Sequence, residues 1–199
     1  MKGLFDDLFL SIYMYLGFGL LFATITMMAL PLIKNLGIKN ALIEMLHNLK
    51  SDRIYFCKFV FFLYLFMVLS RTLICRNIWK VPWENVVGNW GIFLSDGSYN
   101  FEGFLNVALF LPLSLFMLLG FPGFSKGKTI VKILYFALKK GLLFSICIEL
   151  CQLFLRLGTF QFSDIAQNTL GGLLGAGIYL VIMKIGKFKI FRGCFYDGK

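Results

Sequence analysis

The sequence predicts an all-α membrane protein, a polytopic transmembrane helical bundle of about five spans, and three observations predict it. Hydrophobic residues make up 59% of the chain and charged residues 15%, at a mean hydropathy of +0.80. A soluble domain carries roughly 45–50% apolar and about 25% charged residues, so a water-soluble fold of this composition could not wet its surface. The apolar residues fall into five runs, each near the ~20 residues that a hydrocarbon core requires. The basic residues gather between and after those runs, where they fix topology.

The first run, about Leu8 to Ile33, follows Asp6 and Asp7 instead of a basic leader and ends in no small-residue cleavage site. It is expected to be a retained span. The connector from Lys34 to Arg53 carries Lys34, Lys39, Lys50 and Arg53, and its middle (ALIEMLHNL) suits a short interfacial amphipathic helix. The second run is Ile54 to about Cys75. A polar connector, Arg76 to Phe101, then holds Trp79, Trp83 and Trp90, which suits an aromatic belt at one membrane face. The third run, Gly103 to Phe121, stops at Phe121-Pro122-Gly123, a turn signal. After the basic link Ser125-Lys126-Gly127-Lys128 comes the fourth run, about Thr129 to Leu155, and the fifth is Ile165 to Ile185.

Five spans place the termini on opposite sides. One side receives Lys34, Lys39, Lys50, Arg53, Lys58, Lys126, Lys128, Lys132, Lys139, Lys140, Lys184, Lys187, Lys189, Arg192 and Lys199, which is 15 of the 20 basic residues. The positive-inside rule makes that side cytoplasmic, with the N-terminus outside and the C-terminus inside. Lys139 and Lys140 lie deep in the fourth run, so they either snorkel toward the inner face or mark a later helix start. A net charge of +10 in a soluble chain would suggest nucleic acid. Beside membrane spans it suggests anionic lipid head groups, and no nucleic-acid partner is expected.

The cysteines Cys57, Cys75, Cys147, Cys151 and Cys194 form no Cys–x–x–Cys pair, and the one histidine, His47, lies in a polar connector. A His/Cys metal cage is therefore not expected, and no cofactor is implied.

The polar residues inside the runs are more informative. Glu149, Gln152 and Arg156 follow an i, i+3, i+7 spacing, which would put them on one helix face. Asp164 falls just before the fifth run or at its N-cap, where a carboxylate meets orphan N–H groups and the positive dipole end. Asn168 follows one turn later. Gly171 and Gly175 have GxxxG spacing, doubled by Gly172 and Ala176, and the fourth run is their natural packing partner. On the charge-based topology Arg71, Asn106, Glu149, Gln152, Asp164 and Asn168 all fall in the outer third of the membrane. A charged group inside a span costs at least about 2.5–3.5 kcal/mol, so Arg71 is expected to pair with Glu149 or Asp164. Structural glue between helices is the alternative for this set, and plain capping is the simpler reading of Asp164.

These residues carry a resemblance. Glu149-x-x-Gln152, Gly158-Thr159-Phe160-x-x-Ser163-Asp164 and Asn168-Thr169-Leu170-Gly171-Gly172-x-x-Gly175 resemble the signature of the VanZ-like proteins, the teicoplanin-resistance family. Arg71-Thr72-Leu73 and Gly103-Phe104-Leu105-Asn106-x-x-Leu109-Phe110-x-Pro112-Leu113 are similar to its other two blocks. The resemblance divides the chain into an N-terminal helix and basic connector (1–53), a VanZ-like transmembrane domain (54–186) and a basic cytoplasmic tail (187–199). Two positions depart from the family: many members carry Arg near Gly158, and many carry Gly where this chain has Ser114.

The resemblance implies a multi-pass protein of the bacterial cell membrane that lowers susceptibility to teicoplanin and related lipoglycopeptides. The expected partners are membrane lipids, with a lipid-linked cell-wall precursor or the lipoglycopeptide itself as ligand. Binding is favoured over catalysis, because the polar set contains no His and no nucleophile motif. The alternatives are an enzyme modifying a lipid head group, through two carboxylates and an arginine, and a small transporter. The transporter is poorly supported without inverted repeats or broken helices. Ligand identity and oligomeric state stay open at this stage.

Overall fold

The computed structural model describes residues 2–34, 37–74, 76, 78, 81–91, 93, 97, 99 and 101–185, with the backbone alone for 2–14, 30 and 185. Cys75, Trp79, Lys80, Cys194 and the tail 187–199 lie outside the described residues, as do the side chains of Asp6 and Asp7. The regular elements described are helices: α1 (Lys2–Ile33), α2 (Ile38–Ser51), α3 (Arg53–Leu69), α4 (Phe101–Gly120), α5 (Ile130–Leu155) and α6 (Phe162–Ile185). A π-helical turn, Ser70–Ile74, prolongs α3, and a 3₁₀ turn, Pro122–Phe124, follows α4. That 3₁₀ turn falls where Phe121-Pro122-Gly123 signalled a stop.

Among the described residues, four helical stretches are long and apolar enough to cross a membrane: Tyr15–Ile33, Arg53–Ile74, Phe101–Gly120 and Phe162–Lys184. The fifth expected span, α5, is long enough but differs in charge. Lys139 and Lys140, with either Lys132 or Glu149, fall in every 18-residue window of its 26 residues. The helix starts at Ile130, so Lys139 and Lys140 mark no later start. The Lys140 ammonium instead lies back over the Phe136 ring, 5.9 Å from its centroid, which is the direction a snorkelling side chain takes.

The chain forms two compact units. The first comprises Met1–Met67, Phe116–Gly127 and Val181–Lys199. In it α2 packs on α1 through buried Ala41 and Met45 against Met27 and Met28, with Tyr55, Phe59 and Phe62 of α3 closing the cluster. The Tyr55 hydroxyl donates to the Met27 carbonyl at 3.3 Å. The rest of α2 divides as an amphipathic helix does. Lys39, His47 and Lys50 are exposed on one side, while Ile38, Leu42 and Leu46 form an exposed apolar strip between them and the packed face. The C-terminal end of α4 meets α3 here, Gly120 against the Cys57–Lys58 backbone and Phe121 edge-on to Phe61 at 5.4 Å.

The second unit comprises Val68–Leu115 and Lys128–Leu180. Its packing corrects the expected role of the glycines. A Cβ on Gly171 would collide with the Val107 carbonyl oxygen, and one on Gly175 with that of Leu111, so this pair receives α4. Gly172 faces α5, lying near Gly141 and the Ala137 carbonyl. Successive residues on an α-helix point about 100° apart, so adjacent glycines serve two different neighbours. Phe110 of α4 and Phe144 of α5 complete the triangle with ring centroids 5.7 Å apart. Close approach of this kind is how helices associate where apolar burial offers no driving force between them.

Candidate functional site

One end of the second unit gathers the C-terminal end of α5, the N-terminal ends of α4 and α6, and the turn that prolongs α3. Polar side chains from all four are buried there: Thr72, Asn106, Ser145, Glu149, Gln152, Gln161, Ser163, Asp164 and Asn168. A buried polar group without a partner costs about 1–3 kcal/mol, and these residues satisfy one another. The Gln152 amide donates to the Thr72 carbonyl at 2.9 Å, an acceptor left over where the π-helical turn ends. Glu149, only 1% exposed, accepts the Gln161 backbone N–H at 2.9 Å. Asp164 accepts hydrogen bonds from Asn106 and from the Ser163 hydroxyl. Deeper in, the Asn168 amide donates to Ser145 at 2.9 Å and ties α6 to α5. Asn106 also donates to Gln167 at 3.3 Å.

Arg76 follows the π-helical turn. Its guanidinium acts electrostatically on both Glu149 and Asp164. A Cβ on Gly158 would sit 3.2 Å from Arg76 Nη1 and 3.7 Å from Gln152 Oε1, so the guanidinium rests against bare backbone. Glu102, in the first turn of α4, adds a third carboxylate within reach of the other two.

A loop, Val81 to Gly91, closes over this end. Its Pro82 carbonyl accepts from Phe160 N at 3.0 Å and its Val86 carbonyl from Phe162 N at 2.9 Å. The Asn89 N–H donates to Ser163 Oγ at 3.1 Å, and the Gln167 amide returns to the Asn89 carbonyl at 3.0 Å. Gly88 makes the closure possible. Its φ of +75° is a left-handed conformation, and any Cβ there would run into Ser163 Oγ.

Of the residues singled out in the sequence, Asn106, Glu149, Gln152, Asp164 and Asn168 all reach this end of the unit. Arg71 lies half-buried in the π-helical turn, and Arg76 beyond it acts electrostatically on the two carboxyls. Two expectations need correction. Arg156 does not share a face with Glu149 and Gln152: α5 ends at Leu155, and Arg156 is exposed in a left-handed conformation with φ 55°. The chain reverses there, with Leu157 N bonding back to the Gln152 carbonyl at 2.8 Å, so the i+7 periodicity stops one residue short. Asp164 is not the N-cap of α6, which begins at Phe162, and stands in the first turn, where the dipole still favours a carboxylate.

Sequence reasoning missed Arg76, Thr72, Ser145, Gln161 and Gln167. Ser145 was findable, one turn before Glu149 on the same helix. Arg76 was not, because a wide π-helical turn shifts every position beyond it.

A family model described as VanZ/LLP1 matches residues 18–184. No curated protein and no solved structure matches the chain.

Proposed function

Because the chain belongs to the VanZ/LLP1 family, we propose that it is a multi-pass bacterial membrane protein lowering susceptibility to teicoplanin and related lipoglycopeptides, acting through the buried polar cluster. In this reading α5 is a fifth span, the fifteen basic residues face the cytoplasm, and the cluster opens toward the outer leaflet. Its ligand is a cell-envelope lipid, a lipid-linked wall precursor or the antibiotic itself. The observation that carries the reading is the convergence of Glu149, Asp164, Asn106 and Arg76 from four chain segments. Ionisable groups held at membrane depth are costly and are retained for a use. The carboxyls of Glu149, Asp164 and Glu102 suit ammonium and hydroxyl groups in the ligand.

The test compares antibiotic binding and killing in cells expressing wild type, Glu149→Gln or Asp164→Asn at matched levels. Protection lost in both variants supports the reading, and full protection in both overturns it.

The proximity of Glu149 to Asp164 favours a second reading, acid/base chemistry on a lipid head group. Lipid mass spectrometry separates the two. A lipid product missing in Glu149→Gln membranes supports chemistry, and identical profiles support binding.

A further inference from the structure

An open apolar groove of about 710 Å³ runs along the outer flank of α5 and α6 in the second unit. We infer that this groove seats a single acyl chain of a lipid in the leaflet on the side of the Val81–Gly91 loop. The inference deepens the proposed lipid-binding role and rests on it for the nature of the head group.

Four observations select a hydrocarbon chain. First, among its described lining residues the groove offers no free hydrogen-bonding side chain. The Thr169 hydroxyl is spent on the Ile165 carbonyl at 2.6 Å, and the Trp90 indole N–H on the Val87 carbonyl at 2.9 Å. A polar ligand would lose its hydration there and gain nothing in return. Second, the groove has the depth of one leaflet. From Phe162 to Leu173 along α6 it covers eleven residue steps, about 16 Å at the helical rise, against ~15 Å for half a hydrocarbon core. Third, its shallow end is walled by Val87 and Trp90, and tryptophan marks the membrane–water interface. Fourth, that wall is fixed and not a floppy edge. The Phe162 N–H, Ser163 and Gln167 hold the loop through Val86 and Asn89.

The same hydrogen bonds give the groove a relation to the polar cluster. Ser163 touches Asp164 on one side and holds the loop on the other. A chain lying against Trp90 would therefore press on the loop that closes over the carboxylates. Ala166, half-buried on the groove lining, is the position at which a large side chain fills it.

The full-length protein is reconstituted in vesicles of phosphatidylethanolamine and phosphatidylglycerol, with a trace of phosphatidylglycerol carrying a diazirine in one acyl chain. After photolysis, labelled peptides are mapped. Label around Leu142 and Leu170 is expected to exceed that around Phe104 and Phe154, equally apolar and more exposed, by about fivefold, the ratio for a seat roughly 1 kcal/mol better than bulk lipid. Equal labelling overturns the inference without any variant being needed. Ala166→Phe is expected to bring groove labelling down to the level of Phe104, and undiminished labelling overturns it too.

A photoreactive residue at Leu142 that captures a second copy of the chain in place of lipid would show the groove to be a dimer contact and likewise overturn it. Failure here is separable from failure of the proposed function. Selective groove labelling with Glu149→Gln and Asp164→Asn fully protective leaves the acyl seat standing and removes the resistance role. Protection that depends on those carboxyls, with no selective labelling, does the reverse.

Discussion

Single residues at the polar end do work that their type alone would not announce. Arg76 acts electrostatically on two buried carboxyls while its guanidinium rests against Gly158. Arg76→Ala is expected to lower the unfolding midpoint in detergent; an unchanged midpoint would show that Arg76 does not stabilise the carboxyls. Gln152→Ala strands the Thr72 carbonyl, at about 1–3 kcal/mol. Gly88→Ala is expected to destabilise through both its φ and the clash with Ser163. Adding Ser163→Ala should recover only part of the loss, because the left-handed backbone and the close approach to the Cβ of residue 163 and to Gln161 Oε1 remain; full recovery would show that the hydroxyl clash was the whole effect. Arg156 runs the other way. A non-glycine residue at φ 55° carries strain of about 1–2 kcal/mol, so Arg156→Gly should raise the midpoint by roughly 2–4 °C per kcal/mol relieved. A lower midpoint would mean that the side chain contributes more than the strain removes.

At the level of elements, α6 is organised by angle. Gly171 and Gly175 present bare backbone to α4, while Gly172 presents it to α5. Gly177, with open space around it, is the natural control. Gly175→Leu is expected to abolish the folded state in detergent, since a side chain there meets α4 backbone that cannot give way, whereas Gly177→Leu should leave the stability within about 0.5 kcal/mol of wild type. Equal tolerance at both positions would show that α4 and α6 do not pack through this glycine pair. The π-helical turn after α3 is the other organising element. It widens the backbone where Gln152 and Arg76 must both be served, and a regular α-helical continuation would aim positions 72 and 76 elsewhere.

For the molecule as a whole, the distribution of lysine and arginine predicts a topology that chemical labelling can read. A cysteine placed at the exposed Trp83 should react with a membrane-impermeant reagent added to intact cells, and one at Gly127 only after the cells are opened. The opposite pattern would turn the polar cluster toward the cytoplasm and remove the outer-leaflet role proposed for it. Much of this scale was legible in advance. Apolar run length located α3 to α6 to within a few residues, from Gly103 for α4, which starts at Phe101, to Thr129 for α5, which starts at Ile130, whereas α1 starts at Lys2, six residues before the expected Leu8. Glu149 and Asp164 stood out because ionisable groups are rare in such runs.

The amino-acid order by itself determined the helices, the family and most of the buried polar set, because hydropathy and rare charges are properties of consecutive residues. It did not decide that Arg76 acts on the carboxyls, that Arg156 leaves the helix, or which glycine faces which neighbour. Those outcomes depend on a π-helical turn, a chain reversal and 100° of helical rotation, all of them three-dimensional. The loop locked over Ser163 and the groove beside it are likewise matters of tertiary structure, since hydrogen bonds such as Asn89 to Ser163 join residues more than seventy positions apart.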